Sequence, residues 1–524
     1  MKLFEGFCVN GKPFFPLGAQ AHNSSSYSRA MFGESIKAAL ALNCNTVEAP
    51  IYWETIESKE GVFDFSGIDY MVEMCRAAGC KLVLLWFASW KNGDMSYAPE
   101  WVKRDGKRFQ RVLRSDGIPV ADLSAHYEAN CIADTRAYEA LITRIKKIDE
   151  KEQTIIAVQV ENESGYMRTD RDYSPNALQH VKAPVPPELL AYLENHSSAP
   201  EYTYWKEAGL KKGADWVSTF GFHGYEFCEA WYLAHYIDKI TAAGKKIYDI
   251  PMYINVWLNA GNPWGISGME YPGGGAVRRT MHIWLSAVEN IDMIAPDIYE
   301  QNCYRYEQIV DFYGSDGNAL FIPESSLNVT SACNMFYAIA HGAVGYATFG
   351  SESSLDDSGN LTEAALPVRD SNLAVQNAMP LILKHRKTGK MKAVIPHTDQ
   401  TDEGYEFEEF IGTVNFSNPH RFDYSSRRLK LTGEQLLSRG LVFEDENRLF
   451  YLAGNFNLKL APKKSPEVST IANNLPVPDF ISVEEGHFDE DGRFVSDRTR
   501  NGDEVFAGGF WVTPECGIVR IRLV

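Results

Sequence analysis

The chain has 524 residues, 45% apolar and 23% charged, an ordinary globular make-up. That length exceeds one ordinary domain but suits a barrel of roughly 250–400 residues with a smaller module. A net charge of −18 and a pI near 5.2 argue against nucleic acid or an anionic membrane surface as partners and favour a neutral substrate. There is no long apolar run to span a membrane, and residues 1–8 lack the apolar segment of a secretory signal, so the expected location is the cytoplasm. Nine scattered cysteines without a C-x-x-C pair fit reduced thiols better than disulfides or a metal site.

In chain order, Lys12–Gly18 reads as a short strand opening into the polar stretch Ala19–Ser26, which holds Gln20 and His22. A helix is expected over about 32–42, where Phe32, Ile36, Ala39 and Leu40 share one face. Asn45–Glu54 is a strand ending in Glu48, Tyr52, Trp53 and Glu54, followed by a helix over about 68–78. The strand Lys81–Phe87 ends in Ser89, Trp90, Lys91 and Asn92. After a loop over about 93–130 and a helix over about 133–149 comes Thr154–Gly165. This stretch opens as a β-branched apolar run and stops abruptly at Glu161, Asn162 and Glu163. An insertion over about 166–220, rich in Tyr, Pro and charge, is placed as a rim.

A helix over about 222–244 leads to the strand Pro251–Leu258 and a Gly/Pro-rich loop, 259–275, that contains Trp264. Helix 276–289, strand Ile291–Tyr299, helix 304–313, strand Ala319–Glu324, helix 331–341, strand Ala343–Phe349 and helix 370–385 complete the series. Eight strand–helix units, each strand apolar and each strand end polar, predict a (β/α)8 TIM barrel over 1–388. No glycine-rich nucleotide-binding fingerprint follows a strand. From 389 to 524 the texture changes to alternating segments separated by turn residues, such as Glu408–Val414, Leu449–Ala453 and Ile518–Leu523. That pattern predicts an antiparallel, sandwich-like β-domain.

The carboxyl ends of barrel strands are where chemistry is done. Glu163 closes the fourth strand and Glu324 the seventh, so the two face each other across the mouth. Two carboxylates over a sugar can cleave a glycosidic bond, one attacking the anomeric carbon and the other protonating the departing oxygen. A separation of roughly 5–5.5 Å would give retention of configuration. Asn162 is suited to a sugar 2-hydroxyl, although strict alternation would point it away unless the strand breaks there. Glu161 shares the face of Glu163 one layer deeper, where a Lys or Arg partner is expected. Trp90, Trp257 and Trp264 are candidates for stacking on sugar faces, with the core as the alternative. His22, Gln20, Glu48 and Asn92 are further candidates for substrate contact. Asp297 shares the face of Tyr299, and which way that face points is left open.

Val158-Gln-Val-Glu-Asn-Glu-Ser-Gly165 resembles the signature of glycoside hydrolase family 35 β-galactosidases. Asn45-Thr-Val-Glu, Trp53, Glu57 and Gly61-Val-Phe-Asp-Phe65 resemble a region shared by families 35 and 42. Ala295-Pro-Asp-Ile-Tyr299 and Arg500–Glu504 are similar to a bacterial subgroup with a C-terminal β-domain. The resemblance implies Glu163 as acid/base, Glu324 as nucleophile, Asn162 as 2-hydroxyl partner and Tyr299 as a hydrogen-bond donor to the nucleophile. Two departures stand out. Ser164 replaces the usual Tyr, and Ala347-Thr-Phe349 replaces a strand ending in the clan's Trp platform.

The expected activity is that of a retaining exo-β-glycosidase, foremost a β-galactosidase, acting on small oligosaccharides or glycosides. A β-glucosidase and a non-catalytic carbohydrate-binding barrel are the alternatives. No metal or organic cofactor is expected, the partner is a small carbohydrate, and a homo-oligomer is left open.

Overall fold

The computed structural model describes residues 4–259, 265–397, 402–416, 435, 437–464, 469–472, 475–500, 502–505 and 509–524. Eight parallel strands form its centre: β1 (Leu17–Gln20), β2 (Thr46–Tyr52), β3 (Lys81–Lys91), β4 (Ile155–Asn162), β5 (Met252–Trp257), β6 (Met293–Asp297), β7 (Phe321–Ile322) and β8 (Gly345–Phe349). They pair in sequence order, β8 pairs back to β1, and the ring closes between β6 and β7 where Ile298 N–H donates to the Glu324 carbonyl at 2.9 Å. This is the (β/α)8 barrel.

Each strand is followed by a helix that covers its outer face: α1 (Arg29–Ala41), α2 (Ser66–Ala78), α3 (Glu128–Asp149), α4 (Gly224–Ile247), α5 (Met281–Ala287), α6 (Cys303–Tyr313), α7 (Val329–Ala340) and α8 (Leu366–Asn377). All eight residues of β4 are buried, as a near-continuous apolar run requires of a strand covered on both faces. Tyr52, Val83, Leu85, Ala157, Tyr253 and Phe321 share one cluster in the lumen. Phe7 joins the same cluster from an N-terminal hairpin, Phe7–Val9 with Lys12–Phe14, its ring edge-on to Phe321 at 5.5 Å.

Three expectations shift locally. Lys12–Phe14 belongs to that hairpin, and the barrel strand begins only at Leu17. Pro16, which has no N–H to give a ladder, separates them. The expected helix 370–385 is two helices, α8 and Met379–His385, divided just before Pro380. The long loop after β3 contains a hairpin, Arg111–Leu113 with Pro119–Leu123, and the rim insertion carries four short helices between Pro175 and Phe220.

Among the described residues the C-terminal region is mainly a nine-stranded antiparallel assembly: β9 (Met391–Val394), β10 (Asp402–Glu406), β11 (Phe410–Asn415), β12 (Arg439–Asp445), β13 (Leu449–Pro462), β14 (Phe480–Phe488), β15 (Phe494–Thr499), β16 (Gly509–Val512) and β17 (Ile518–Leu523), with a separate hairpin of Ser469–Ala472 and Leu475–Pro478. The first half of β13 pairs with β12 and β17, its second half with β11 and β16, so one long strand serves two layers. Its core, including Val442, Phe450, Leu452, Phe456 and Phe510, is separate from that of the barrel. Against the barrel, fully buried Arg439 donates to Ser371 Oγ at 2.8 Å and to the Pro367 carbonyl at 3.2 Å. Among the described residues no helix is long and apolar enough to cross a membrane.

Candidate active site

The strand end that carries Glu163 is not a regular strand. Glu161 and Glu163 both take left-handed backbone angles, φ 63° and 46°, flanking Asn162. Left-handed backbone costs a residue with a Cβ about 1–2 kcal/mol, so neighbours must hold the break. The Glu161 carboxylate does so by accepting Ser89 N–H at 3.2 Å and Trp90 N–H at 2.8 Å. Asn92 N–H donates to the Asn162 carbonyl at 3.2 Å, and Glu163 N–H donates to Asn255 Oδ1 at 2.9 Å. Gly165 follows at φ 144°, where a Cβ would lie 2.8 Å from the Gly273 carbonyl, so only glycine fits.

Among the described residues no Lys or Arg pairs with Glu161 as the sequence led us to expect. Its carboxyl lies instead against Asp134, which accepts from Trp86 Nε1 at 2.9 Å and Ser89 Oγ at 2.5 Å. Both acids are fully buried, and burial followed by mutual repulsion pushes Glu161 well above the carboxylate range. A shared proton is what two acids in this setting require.

A cavity of about 550 Å³ opens over the strand ends, and its lining comes entirely from barrel residues between Asn23 and Phe349. Glu163 and Glu324 lie in it together with Asp297, and an oxygen from each falls within 4.8 Å of the others. Tyr299 OH donates to Glu324 Oε2 at 2.7 Å. Asn92 Nδ2 donates to Glu163 Oε2 at 2.5 Å, and its own Oδ1 accepts from Lys91 Nζ. Asn255 Nδ2 donates to Asp297 Oδ2 at 2.8 Å and, more weakly, to Glu324 Oε1 at 3.4 Å. A single amide thus ties β4, β6 and β7 together.

Burial and then the charge on Glu324 push Glu163 up to about 7, against the pull of Lys91. Burial also raises Glu324, while Lys91 and the Tyr299 hydroxyl favour its ionised form. Three converging carboxyls resemble the donor set of an ion site, but the positive charge they face is the Lys91 ammonium.

Of the residues singled out from sequence, Glu163, Glu324, Asn92, Tyr299 and Trp257 line the cavity. Asn162 is buried beside Glu163 and favours its ionised form. Gln20 and Glu48 form a layer beneath. Gln20 Nε2 donates to the Pro323 carbonyl at 3.1 Å and reaches Glu48 Oε2 at 3.5 Å, so the pair props the strand end that carries Glu324. Trp90 is not a sugar platform, because the Glu161 clamp on its N–H turns the ring into the core, edge-on to Tyr236 at 4.7 Å. His22 sits behind Phe349 and bonds Ser353 Oγ at 2.8 Å, outside the cavity lining. Trp264 lies outside the described residues. At the end of β8, Phe349 lines the cavity.

Sequence reasoning passed over Lys91 and Asn255. The signal for Asn255 is an amide inside the otherwise apolar run Met252–Trp257, two residues from Tyr253 and Trp257. The open question over Asp297 is answered: it faces the cavity.

A barrel with paired carboxylates at its mouth is an arrangement that can hydrolyse glycosidic bonds. Residues 6–243 match the model of glycosyl hydrolases family 35, and residues 374–510 that of a domain of unknown function, DUF5597. Over residues 6–243 the chain is therefore similar to glycosyl hydrolases family 35. The β-galactosidase of Xanthomonas manihotis is 31% identical over 194 residues, 35% of this chain and 29% of that protein. The human β-galactosidase-1-like protein 3 is 25% identical over 176 residues, 32% of this chain and 24% of that protein. The matched stretch thus spans under a third of either relative. Among solved structures, the β-galactosidase of the psychrophilic Marinomonas ef1 aligns with a TM-score of 0.48 at 11% identity, over 71% of this chain and 60% of that one. The family match ends before β5 and so does not reach Asn255, Asp297, Tyr299 or Glu324.

Proposed function

We propose that the chain is a retaining exo-β-glycosidase that releases terminal β-D-galactose from small oligosaccharides or glycosides. The observation that carries this reading is the pairing of Glu163, pushed up to about 7, with Glu324, held by Tyr299 across the same cavity. Glu324 attacks the anomeric carbon as the bond to the leaving oxygen breaks, and the Glu163 proton passes to that oxygen. Water then gives its proton to Glu163 and displaces Glu324, restoring both groups. Lys91 and Tyr299 keep the nucleophile charged in a buried site, and Asn92 orients the acid/base. The preference for galactose draws on the two relatives, both of which carry a β-galactosidase name. Trp257 and Phe349 supply apolar surface for a sugar face. The catalytic unit in this reading is 1–388, with 389–524 as an accessory β-domain.

The test is nitrophenol release from a panel of p-nitrophenyl glycosides, with Glu324→Ala as the blank. Preference for the β-galactoside, lost in the variant, is the expected result. Turnover of the β-glucoside alone would keep the two-carboxylate chemistry and sink the galactose assignment. No turnover of any glycoside would favour a non-catalytic carbohydrate-binding barrel.

A further inference from the structure

Three buried acids converge at the mouth where the proposed chemistry uses two. Asp297 is 97% buried, being 3% exposed, at the end of β6. Its Oδ2 takes the Asn255 amide at 2.8 Å, while its Oδ1, also buried, receives no ordinary N–H or O–H donor among the described residues. An oxygen of the Glu163 carboxyl lies within 4.8 Å of one of Asp297. Each of the two acids already accepts one amide, Asn92 on Glu163 and Asn255 on Asp297, so each has an oxygen left over.

Resting on the functional reading above, we infer that Asp297 is a positioning residue that carries a proton and donates it as a hydrogen bond to Glu163. The groups that face Asp297 leave little alternative. From β4 and β7 come the acids Glu163 and Glu324, from β3 the cation Lys91, and from β5, the turn after β6 and α6 the hydroxyls of Tyr253, Tyr299 and Tyr313. One ammonium cannot neutralise three buried carboxylates. Ionised Glu324 takes its charge, and the other two sites stay protonated or share a proton. Burial, followed by the charges on Glu324 and Glu163, raises Asp297 well above the carboxylate range. When Glu163 gives up its proton to the leaving oxygen, the Asp297 O–H stabilises the carboxylate left behind. It stands ready again when Glu163 takes the proton of water. Asp297 therefore sets the pH at which Glu163 titrates.

The test is the titration of Glu163 in glutamate-carboxyl-labelled protein by carbon-13 NMR, the signal assigned by its loss in Glu163→Gln, alongside kcat/KM against pH. In Asp297→Asn the side-chain amide still donates, so Glu163 titrates within about 0.3 units of the parent. In Asp297→Ala the donor is gone and the titration, with the alkaline limb of kcat/KM, moves up by about one unit or more. A fall of a unit or more in Asp297→Asn would overturn the inference, because it would mean that a like charge had been removed. Equal upward shifts in both variants would overturn it too. If Glu163 titrates as expected while no glycoside is turned over, the functional reading fails and the shared proton stands.

Discussion

Two sets of buried glutamates in this chain meet opposite fates. At the barrel mouth Glu163 and Glu324, with Glu48 and Glu161 beneath and behind them, are buried with amides, hydroxyls and one another. All four are pushed up, burial being the largest cause. In the C-terminal domain Glu484 and Glu485 are buried almost as well, yet both are pulled down. Burial acts there too, but Arg498 and Arg500 bracket Glu485, the former through bonds of 3.1 and 2.8 Å, and Arg520 grips Glu484 at 2.8 and 3.0 Å. Arginine supplies a planar, permanently charged fork that satisfies a carboxylate outright. Acids buried without that fork are pushed up instead. The difference separates a site that reacts from a network that holds.

Four measurements press on that contrast. The largest effect is expected from Glu163→Ala, which removes the proton donor and lowers kcat/KM by about 10²–10⁴-fold. The thermal midpoint should hardly move, and a loss confined to folding would place Glu163 with the structural acids. Arg500→Ala should do the reverse. It strips a fully buried guanidinium from Glu485 and from the face of Trp511, so the stability cost is about 3–5 kcal/mol. Chemical denaturation reads that loss, and kcat on folded protein should be unchanged.

Tyr299→Phe removes one hydrogen bond to the nucleophile. The cost is about 1.5–3 kcal/mol of transition-state stabilisation, or roughly ten- to a hundredfold in kcat, with KM little affected. A change confined to KM would make Tyr299 a substrate contact and nothing more.

The smallest effect is in the pH dependence of stability, where the two regions should part in sign. Acids raised in the fold contribute stability that is present below their ordinary pKa and is lost as pH rises through the folded value. Glu484 and Glu485, lowered in the fold, contribute stability that is present above the ordinary value and is lost as pH falls through the folded one. Hydrogen exchange should therefore find the barrel mouth loosening first in alkali and the C-terminal domain first in acid. Glu161→Gln should ease the alkaline loss by roughly 2 °C at about pH 9. Parallel loosening of both regions at either extreme would erase the distinction.

Much of this was legible before folding because apolar runs have few places to go. Thr154–Val160 and Ala319–Ile322 can only be covered strands, and Glu163 and Glu324, standing just beyond such runs, mark the active rim. Tyr299 came from the family resemblance, not from the apolar runs. Trp90 did not follow from them either, because its direction depends on the Glu161 clamp, which is built from residues 71 apart or more in sequence. Nor did alternation along β4 predict how Asn162 and Glu163 sit, since two left-handed residues override the period of two. Lys91 and Asn255 looked like ordinary strand residues. Their importance comes from what the ring of strands brings opposite them.

The sequence by itself determined the count and order of the barrel strands, the change to antiparallel pairing after about residue 389, and the pair of acids at the strand ends. These follow from hydrophobic period and from the cost of hiding charge, both of which act locally along the chain. Only the tertiary structure decided which acids lack a counter-ion, that a third acid joins the pair, and which aromatic rings face the cavity. Those depend on distances of a few ångströms between residues from different strands, and no local pattern encodes them.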